Sequence, residues 1–282
     1  YEFQEQITSL LKLNQAKFAG NATELALESA HGIAFHRGLG SSLYPSTSSP
    51  ISKYLNSESV NQFADIAYSK PNIAVIANGA DQSDLEKWVG EFFKDIPNGT
   101  SSLSSKVSAY HGGEERIDHP TGNSMVIAFP GSSIHTATVS YKPELFVLAA
   151  LLGGQSSIKW TNGFSLLSKA APNFSGASAF TSNLSYSDAG LFTMIFSGAA
   201  EGVRNASFEA HKALESIANG LTTKEDLTKA VSLAKFRVLE ESQSSDESLI
   251  STGISILHGH KPHQFKEIVE RIDTVSLDKL KT

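Results

Sequence analysis

The stretch 175–198, SGASAFTSNLSYSDAGLFTMIFSG, constrains the fold of this chain more than any other. Two runs, 176–184 and 191–196, are rich in small, aromatic and β-branched residues and flank Tyr186-Ser187-Asp188-Ala189-Gly190. Strand-favouring runs on either side of a turn-rich pentapeptide predict a β-hairpin. In that turn Asp188 is expected to hydrogen-bond its own backbone, and Gly190 to take a positive φ that other residues resist. A second sheet is expected around the hairpin.

With 282 residues, 40% of them apolar, the chain can bury one large core or two ordinary ones, and size favours two domains. A net charge of -6 without a basic block argues against nucleic acid, whose binders need a positive face to displace counterions. The absence of Cys excludes a disulfide scaffold, thiol catalysis and Cys-based zinc sites, so any metal would need His and carboxylates. Glycosylation sequons begin at Asn21, Asn98, Asn173, Asn183 and Asn205, but such short patterns arise by chance in a chain this rich in Ser and Asn. No apolar run reaches the ~18 to 20 residues of a membrane span. No targeting segment is visible, and with Tyr1 an unnatural start, removal of one stays open.

Residues 1–37 predict two helices meeting near Gly20-Asn21, with Ile7, Leu10 and Leu11 on the first and Leu25, Ala26, Ala30 and Ile33 on the second. Asn21 is expected to cap the second. Residues 38–50, dense in Gly, Ser and Pro, are expected to be irregular. Ser57 then caps a helix carrying Val60, Phe63, Ala64 and Ala67 at helical spacing. The run 72–77, NIAVIA, predicts a buried strand, and Ser83 with Glu86 a capping box before a helix with Leu85, Trp88, Val89, Phe92 and Phe93 on one face. Residues 96–108, IPNGTSSLSSKVS, predict an interdomain linker continuing toward Gly122. Beyond it come a strand at 124–129, a helix opened by Pro143 and ended by Gly153-Gly154, and a short helix at 164–170. The last third predicts helices: one with Ala206, Ala210, Leu214 and Ile217, one with Leu227, Val231, Ala234 and Val238 capped by Thr222 or Thr223, and three more from Asp246, Pro262 and Ser276 onward.

Three stretches carry a family resemblance: residues 21–45, NATELALESAHGIAFHRGLGSSLYP; residues 110–116, YHGGEER; and residues 178–192, SAFTSNLSYSDAGLF. In order and spacing they resemble the core protein 2 family of ubiquinol-cytochrome c reductase, the respiratory cytochrome bc complex. That family is itself related to the zinc-dependent mitochondrial processing peptidases and insulinase-like metallopeptidases. The resemblance implies an α+β fold of two homologous α/β domains, each a mixed or antiparallel sheet with helices on one face, closed like a clam shell around a cavity. It also implies an incomplete first domain. Residues 1–100 would be the second half of the N-terminal peptidase-like domain, residues 101–122 the Ser/Gly-rich linker, and residues 123–282 an inactive C-terminal peptidase-like domain. The first strands and the family's H-x-x-E-H helix would precede Tyr1, and a final strand would follow Thr282.

Active relatives bind zinc through the two His of H-x-x-E-H and a carboxylate on a neighbouring helix. This sequence has no H-x-x-E-H. The resemblance places the later carboxylates near Asn14 and Lys17, neither acidic, with Glu5 and Glu24 the nearest alternatives after an alignment slip. An ammonium at Lys17 would repel a divalent cation. His258-Gly259-His260 with His263 is a tight His cluster, read as a solvated connection between helices because no carboxylate completes a site. His31, on the apolar side of its helix, is expected to be packed or hydrogen-bonded, as are His111 and His119 in the linker. Glycines at 153, 154 and 163 stand where the noncatalytic processing-peptidase subunit carries a longer glycine-rich loop for presequences; here helix termination is the expected role. Tyr186 matches a tyrosine that works with an arginine on substrate in active relatives. With no arginine between Arg116 and Arg204, it is expected to pack at the hairpin with its phenol toward a domain interface or a partner.

The expected function is therefore that of a noncatalytic structural subunit of the cytochrome bc complex, supporting its assembly and stability. No catalytic, cofactor-binding or metal-binding residues and no cofactor of its own are expected. Its expected place is the matrix side of the mitochondrial inner membrane, peripheral to the membrane and held there by partners. Those partners would be core protein 1, other subunits of the dimeric complex and, indirectly, cytochrome b. Two alternatives stay open: the presequence-binding subunit of mitochondrial processing peptidase, and an active zinc metallopeptidase.

Overall fold

The structure, a computed structural model, describes residues 2–44, 56–99, 107–154, 163–262 and 265–281; of Gln4 and Glu241 it describes the backbone alone. In chain order the helices are α1 (Thr8–Ala19), α2 (Ala22–Phe35), α3 (Ser57–Ala67), α4 (Gln82–Phe92), α5 (Pro143–Leu152), α6 (Leu166–Ala170), α7 (Ala200–Ala218), α8 (Lys224–Gln243), α9 (Ser245–Leu257), α10 (Phe265–Asp273) and α11 (Leu277–Lys281). The strands are β1 (Asn123–Pro130), β2 (Ala177–Ser185) and β3 (Gly190–Gly198). Contacts divide the chain into two units, each assembled from several segments. The first comprises Tyr1–Lys17, Leu43–Lys106 and Ser242–His263, the second Phe18–Ser42, Val107–Glu241 and Gln264–Thr282.

In the first unit a π-helical turn, Phe3–Ile7, leads into α1. Helix α3 starts one residue earlier than its sequence suggests. Asn56, not Ser57, is the N-cap: its side chain accepts from the Ser59 N–H at 2.8 Å while the Ser59 hydroxyl accepts from the Asn56 N–H at 3.2 Å. Helix α4 is capped by Asp81, which accepts from the Ser83 N–H at 2.9 Å, so the expected Ser83–Glu86 box is not used. The run 72–77 is not a strand. Lys70–Asn72 forms a 3-10 turn and the following residues pair with no strand among those described, leaving Val75 exposed. Apolar, β-favouring composition alone cannot satisfy backbone N–H and C=O groups; a ladder partner must do so. The apolar faces of α3 and α4 are exposed as well, with Phe63 at 65% and Phe92 at 70%.

The second unit is built on a three-stranded antiparallel sheet of order β1-β3-β2. Because side chains alternate across a strand, Phe192, Met194 and Phe196 of β3 share one face, together with Ile127 of β1 and Ala179 of β2. This face belongs to the main core, where it joins Val147, Leu151 and Leu152 of α5, Val203, Ala206 and Ala210 of α7, Ala230 and Ala234 of α8, and Ile268 and Ile272 of α10. Each fully buried Phe, Leu or Met there contributes roughly 1.5–3 kcal/mol. Helix α5 is apolar all round, so burial and not amphipathicity holds it. Pro143 opens it at the first helical turn, and Gly153 closes it at φ 63. At one end of the opposite sheet face, Leu191, Leu184 and Ala128 pack against Ala34 and Phe35 of α2, so α2 is seated on the sheet away from the main helical layer.

Candidate functional site

Helix α2 begins where its sequence dictates: the Asn21 carboxamide accepts from the N–H groups of Thr23 at 3.1 Å and Glu24 at 3.3 Å. Two and a half turns on, His31 Nδ1 lies 2.7 Å from the Leu27 carbonyl one turn back. A carbonyl only accepts, so Nδ1 carries the proton and Nε2 is the acceptor. Nε2 meets the Tyr186 hydroxyl at 2.6 Å, so the phenol donates to the imidazole. The two rings stand edge to face, 5.9 Å apart at 77°. A bond spanning 155 residues thus ties α2 to the hairpin turn. Burial pushes the Tyr186 phenol above its ordinary range, and the Glu28 carboxylate adds to the effect. The group stays a neutral donor at neutral pH.

The turn itself is held differently from its sequence expectation. Asp188 does not bond its own turn: its carboxylate accepts from the Ser108 N–H at 2.7 Å, and its carbonyl from the Ser140 hydroxyl at 2.9 Å. The turn closes instead through Tyr186 N–H to the Ala189 carbonyl at 2.9 Å. Gly190 does not take a positive φ. Its role is close approach: a Cβ there would lie 2.2 Å from the Ser132 carbonyl oxygen. Asn183 completes the clamp, accepting from the Ser132 N–H at 2.8 Å and donating to its carbonyl at 3.1 Å.

Beside this pair runs a groove of about 1010 Å³, walled by α2, residues 110–119 and β1. Leu25 and Ile33 give it apolar lining, while Glu114, Glu115, Arg116 and Asp118 give it charge. The Ser29 hydroxyl donates to the Glu115 carboxylate across it. Residues 107–119 form neither helix nor strand, and residues 100–106 of the expected linker lie outside the described residues.

The other candidate residues are dispersed over several elements. Asn14 and Lys17 lie on α1, Glu5 in the preceding π-helical turn and Glu24 in the first turn of α2. Among the described residues no group of three or more His, Cys, Asp or Glu is placed to hold a metal ion. His258 caps the end of α9, Gly259 follows at φ 71, and the His260 N–H bonds to the Ser255 carbonyl at 2.8 Å, which makes this segment a helix terminus. His263 lies outside the described residues, as do residues 155–162 of the glycine-bearing loop. The His119 ring bonds to the Ala19 carbonyl at 3.0 Å. His111 stacks edge to face on His36 with ring centroids 4.3 Å apart. Neither the His31–Tyr186 bond nor the His36–His111 pair has a signal in sequence spacing, since each joins residues far apart in the chain.

An antiparallel sheet backed by a helical layer, with a hydrogen-bonded His–Tyr pair at its hairpin, defines an α+β protein. The family model described as "Peptidase M16 inactive domain" matches residues 54–233, and the chain belongs to that family. It is 46% identical over 281 residues to the mitochondrial cytochrome b-c1 complex subunit 2 of Neurospora crassa, covering 99% of this chain and 61% of that protein. To the subunit of the same name from Yarrowia lipolytica it is 32% identical over 261 residues, covering 92% of this chain and 59% of that protein. The chain thus spans about three fifths of the length of these relatives. A solved structure, "Complex III2 from Candida albicans, Inz-5 bound", superposes with a TM-score of 0.76 at 17% identity, over 97% of this chain and 66% of that one, and supports the fold alone.

Proposed function

We propose that this chain is part of a noncatalytic structural subunit of the mitochondrial cytochrome bc complex, the respiratory ubiquinol-cytochrome c reductase. The observation that carries the reading is the 46% identity to the Neurospora crassa subunit across 99% of this chain. The match to a peptidase domain described as inactive supports the absence of hydrolysis, and so does the non-acidic pair Asn14 and Lys17 at the positions expected for metal ligands. No helix among the described residues is long and apolar enough to cross a membrane. Attachment to the inner membrane on its matrix side would then run through partners: core protein 1, the other subunits of a dimeric complex and, indirectly, cytochrome b. Within this reading residues 1–100 are part of a first peptidase-like domain, residues 101–122 a linker and residues 123–282 a second domain. The exposed faces of α3 and α4, and the run 72–77 that joins no sheet among the described residues, support a first domain whose sheet is supplied from elsewhere.

Affinity purification of the tagged full-length protein from mitochondria tests the proposal. Recovery with haem-bearing membrane subunits is expected. Recovery with a soluble peptidase partner, or peptide cleavage abolished by a chelator, would overturn it.

A further inference from the structure

The end of α2 gathers two imidazoles that the structural role does not use. His36 is the C-cap of this 14-residue helix, held at φ 57 with its N–H on the Gly32 carbonyl at 3.0 Å. His111 arrives from a remote part of the chain, and its N–H bonds to the Ala34 carbonyl at 2.6 Å. Two independent backbone bonds to the same last turn therefore fix where both side chains start. Their rings lie edge to face with centroids 4.3 Å apart at 68°, and both residues are exposed.

We propose that His36 and His111 form a two-imidazole site for a late first-row transition metal ion, Cu2+ or Zn2+. Metal–nitrogen bonds of about 2.0–2.1 Å place two ligating nitrogens at most roughly 4 Å apart. Rings this close meet that span after small side-chain rotations, which exposure leaves free. Imidazole is a preferred donor for both ions, and Cu2+ binds such sites more tightly than its neighbours in the series. The carbonyl end of a helix carries roughly half a negative charge, which favours a cation at this position. Arg37, next in sequence and exposed, opposes the bound charge, but solvent screens it. Because no third His, Asp or Glu among the described residues joins the pair, water would fill the remaining coordination positions. This open site differs in position and donor set from the zinc centre of active peptidases and implies no hydrolysis.

The test is titration of the full-length protein with Cu2+, then with Zn2+, alongside the variants His36→Ala and His111→Ala. Electron paramagnetic resonance at one equivalent of Cu2+ should show coupling to two imidazole nitrogens. Each variant should bind at least about tenfold more weakly, the scale on which losing even a supporting group weakens metal sites, and should show one coupled nitrogen. His36→Gln and His111→Gln replace any alanine variant whose circular dichroism shows unfolding. Undiminished affinity with the two-nitrogen signature in both variants overturns the proposal. So does loss of the signature in His258→Ala/His260→Ala alone, which would place the ion at the end of α9.

Discussion

Replacing Tyr141 with Phe is expected to stabilise the protein. Tyr141 is 8% exposed, and its hydroxyl is buried with no hydrogen-bonding partner among the described residues. Its ring lies 6.1 Å from that of Phe146, and the Arg271 guanidinium stands over it at 5.5 Å. Phe keeps the ring, its packing and the cation–π contact, and removes only the hydroxyl. Leaving a buried polar group unpaired costs about 1–3 kcal/mol, so relief of part of that, about 1 kcal/mol, is expected at neutral pH. Burial pushes the Tyr141 phenol from 10.0 up to about 12; the Arg271 charge pulls it back, while Glu267 and Glu144 push the same way as burial. Below pH 10 both folded and unfolded chains hold the proton, and the group adds no pH dependence. Between pH 10 and about 12 the unfolded chain releases the proton and the folded chain keeps it, so stability falls as pH rises. The Phe variant lacks this decline, and its advantage widens over that window. Urea unfolding of the full-length protein at pH 7, 9 and 10.5, read as the midpoint at constant slope, measures both effects. A variant less stable by about 1 kcal/mol at pH 7 would show that the hydroxyl is paired after all, and identical alkaline slopes would refute the titration argument.

Three further perturbations probe the site and its supports. Combining His31→Ala with Tyr186→Phe in a double-mutant cycle is expected to give a coupling of about 0.5–1.5 kcal/mol; a value within about 0.3 kcal/mol of zero would mean the two side chains act independently. Gly190→Ala would put a Cβ 2.2 Å from the Ser132 carbonyl oxygen and 2.7 Å from its nitrogen, both backbone atoms. It should destabilise by at least about 2 kcal/mol, seen as a lowered melting temperature; an unchanged melting temperature would show that the hairpin and residues 131–133 are not in contact. Thr223→Ala removes the α8 cap, in which the Thr223 hydroxyl accepts from the Asp226 N–H at 3.1 Å and donates to its carboxylate at 2.7 Å. That should cost about 1 kcal/mol. The Thr223 hydroxyl also holds the Asp226 carboxyl below 3.8, against the smaller effect of burial. The associated stability is present above that value and lost as pH falls through the depressed one. Thr223→Ala should therefore show a shallower acid loss by circular dichroism, and an unchanged acid limb would count against the cap.

Local chemistry made much of the second unit legible. A hairpin needs only two β-favouring runs and a turn between them, and β2 and β3 form where those runs fall. Pro143 and Gly153 mark the ends of α5 because each acts on its own backbone, and Asn21 and Thr223 cap because the N–H groups they serve lie within three residues. Partners chosen by tertiary geometry were not legible. Asp188 and Gly190 belong to residue types that serve turns, yet they are recruited by Ser108, Ser140 and Ser132, dozens of residues away. The same holds for His31: its helical position leads to the expectation of a packed or hydrogen-bonded side chain, while its partner Tyr186, 155 residues on, could be found only in three dimensions.

The first unit shows the converse. Helix α3 carries Val60, Phe63 and Ile66 on one side, and α4 carries Trp88 and Phe92, yet neither helix has a buried residue among those described. The run 72–77 has the composition of a strand but joins no ladder among the described residues. Exposing two apolar helical faces opposes the burial that stabilises folded domains. A sheet that accepted residues 72–77 as a strand and covered both faces would resolve all three. A strand needs both a β-favouring sequence and a partner: among the described residues none pairs with 72–77, whereas β1, read from the same kind of pattern, has β3 beside it.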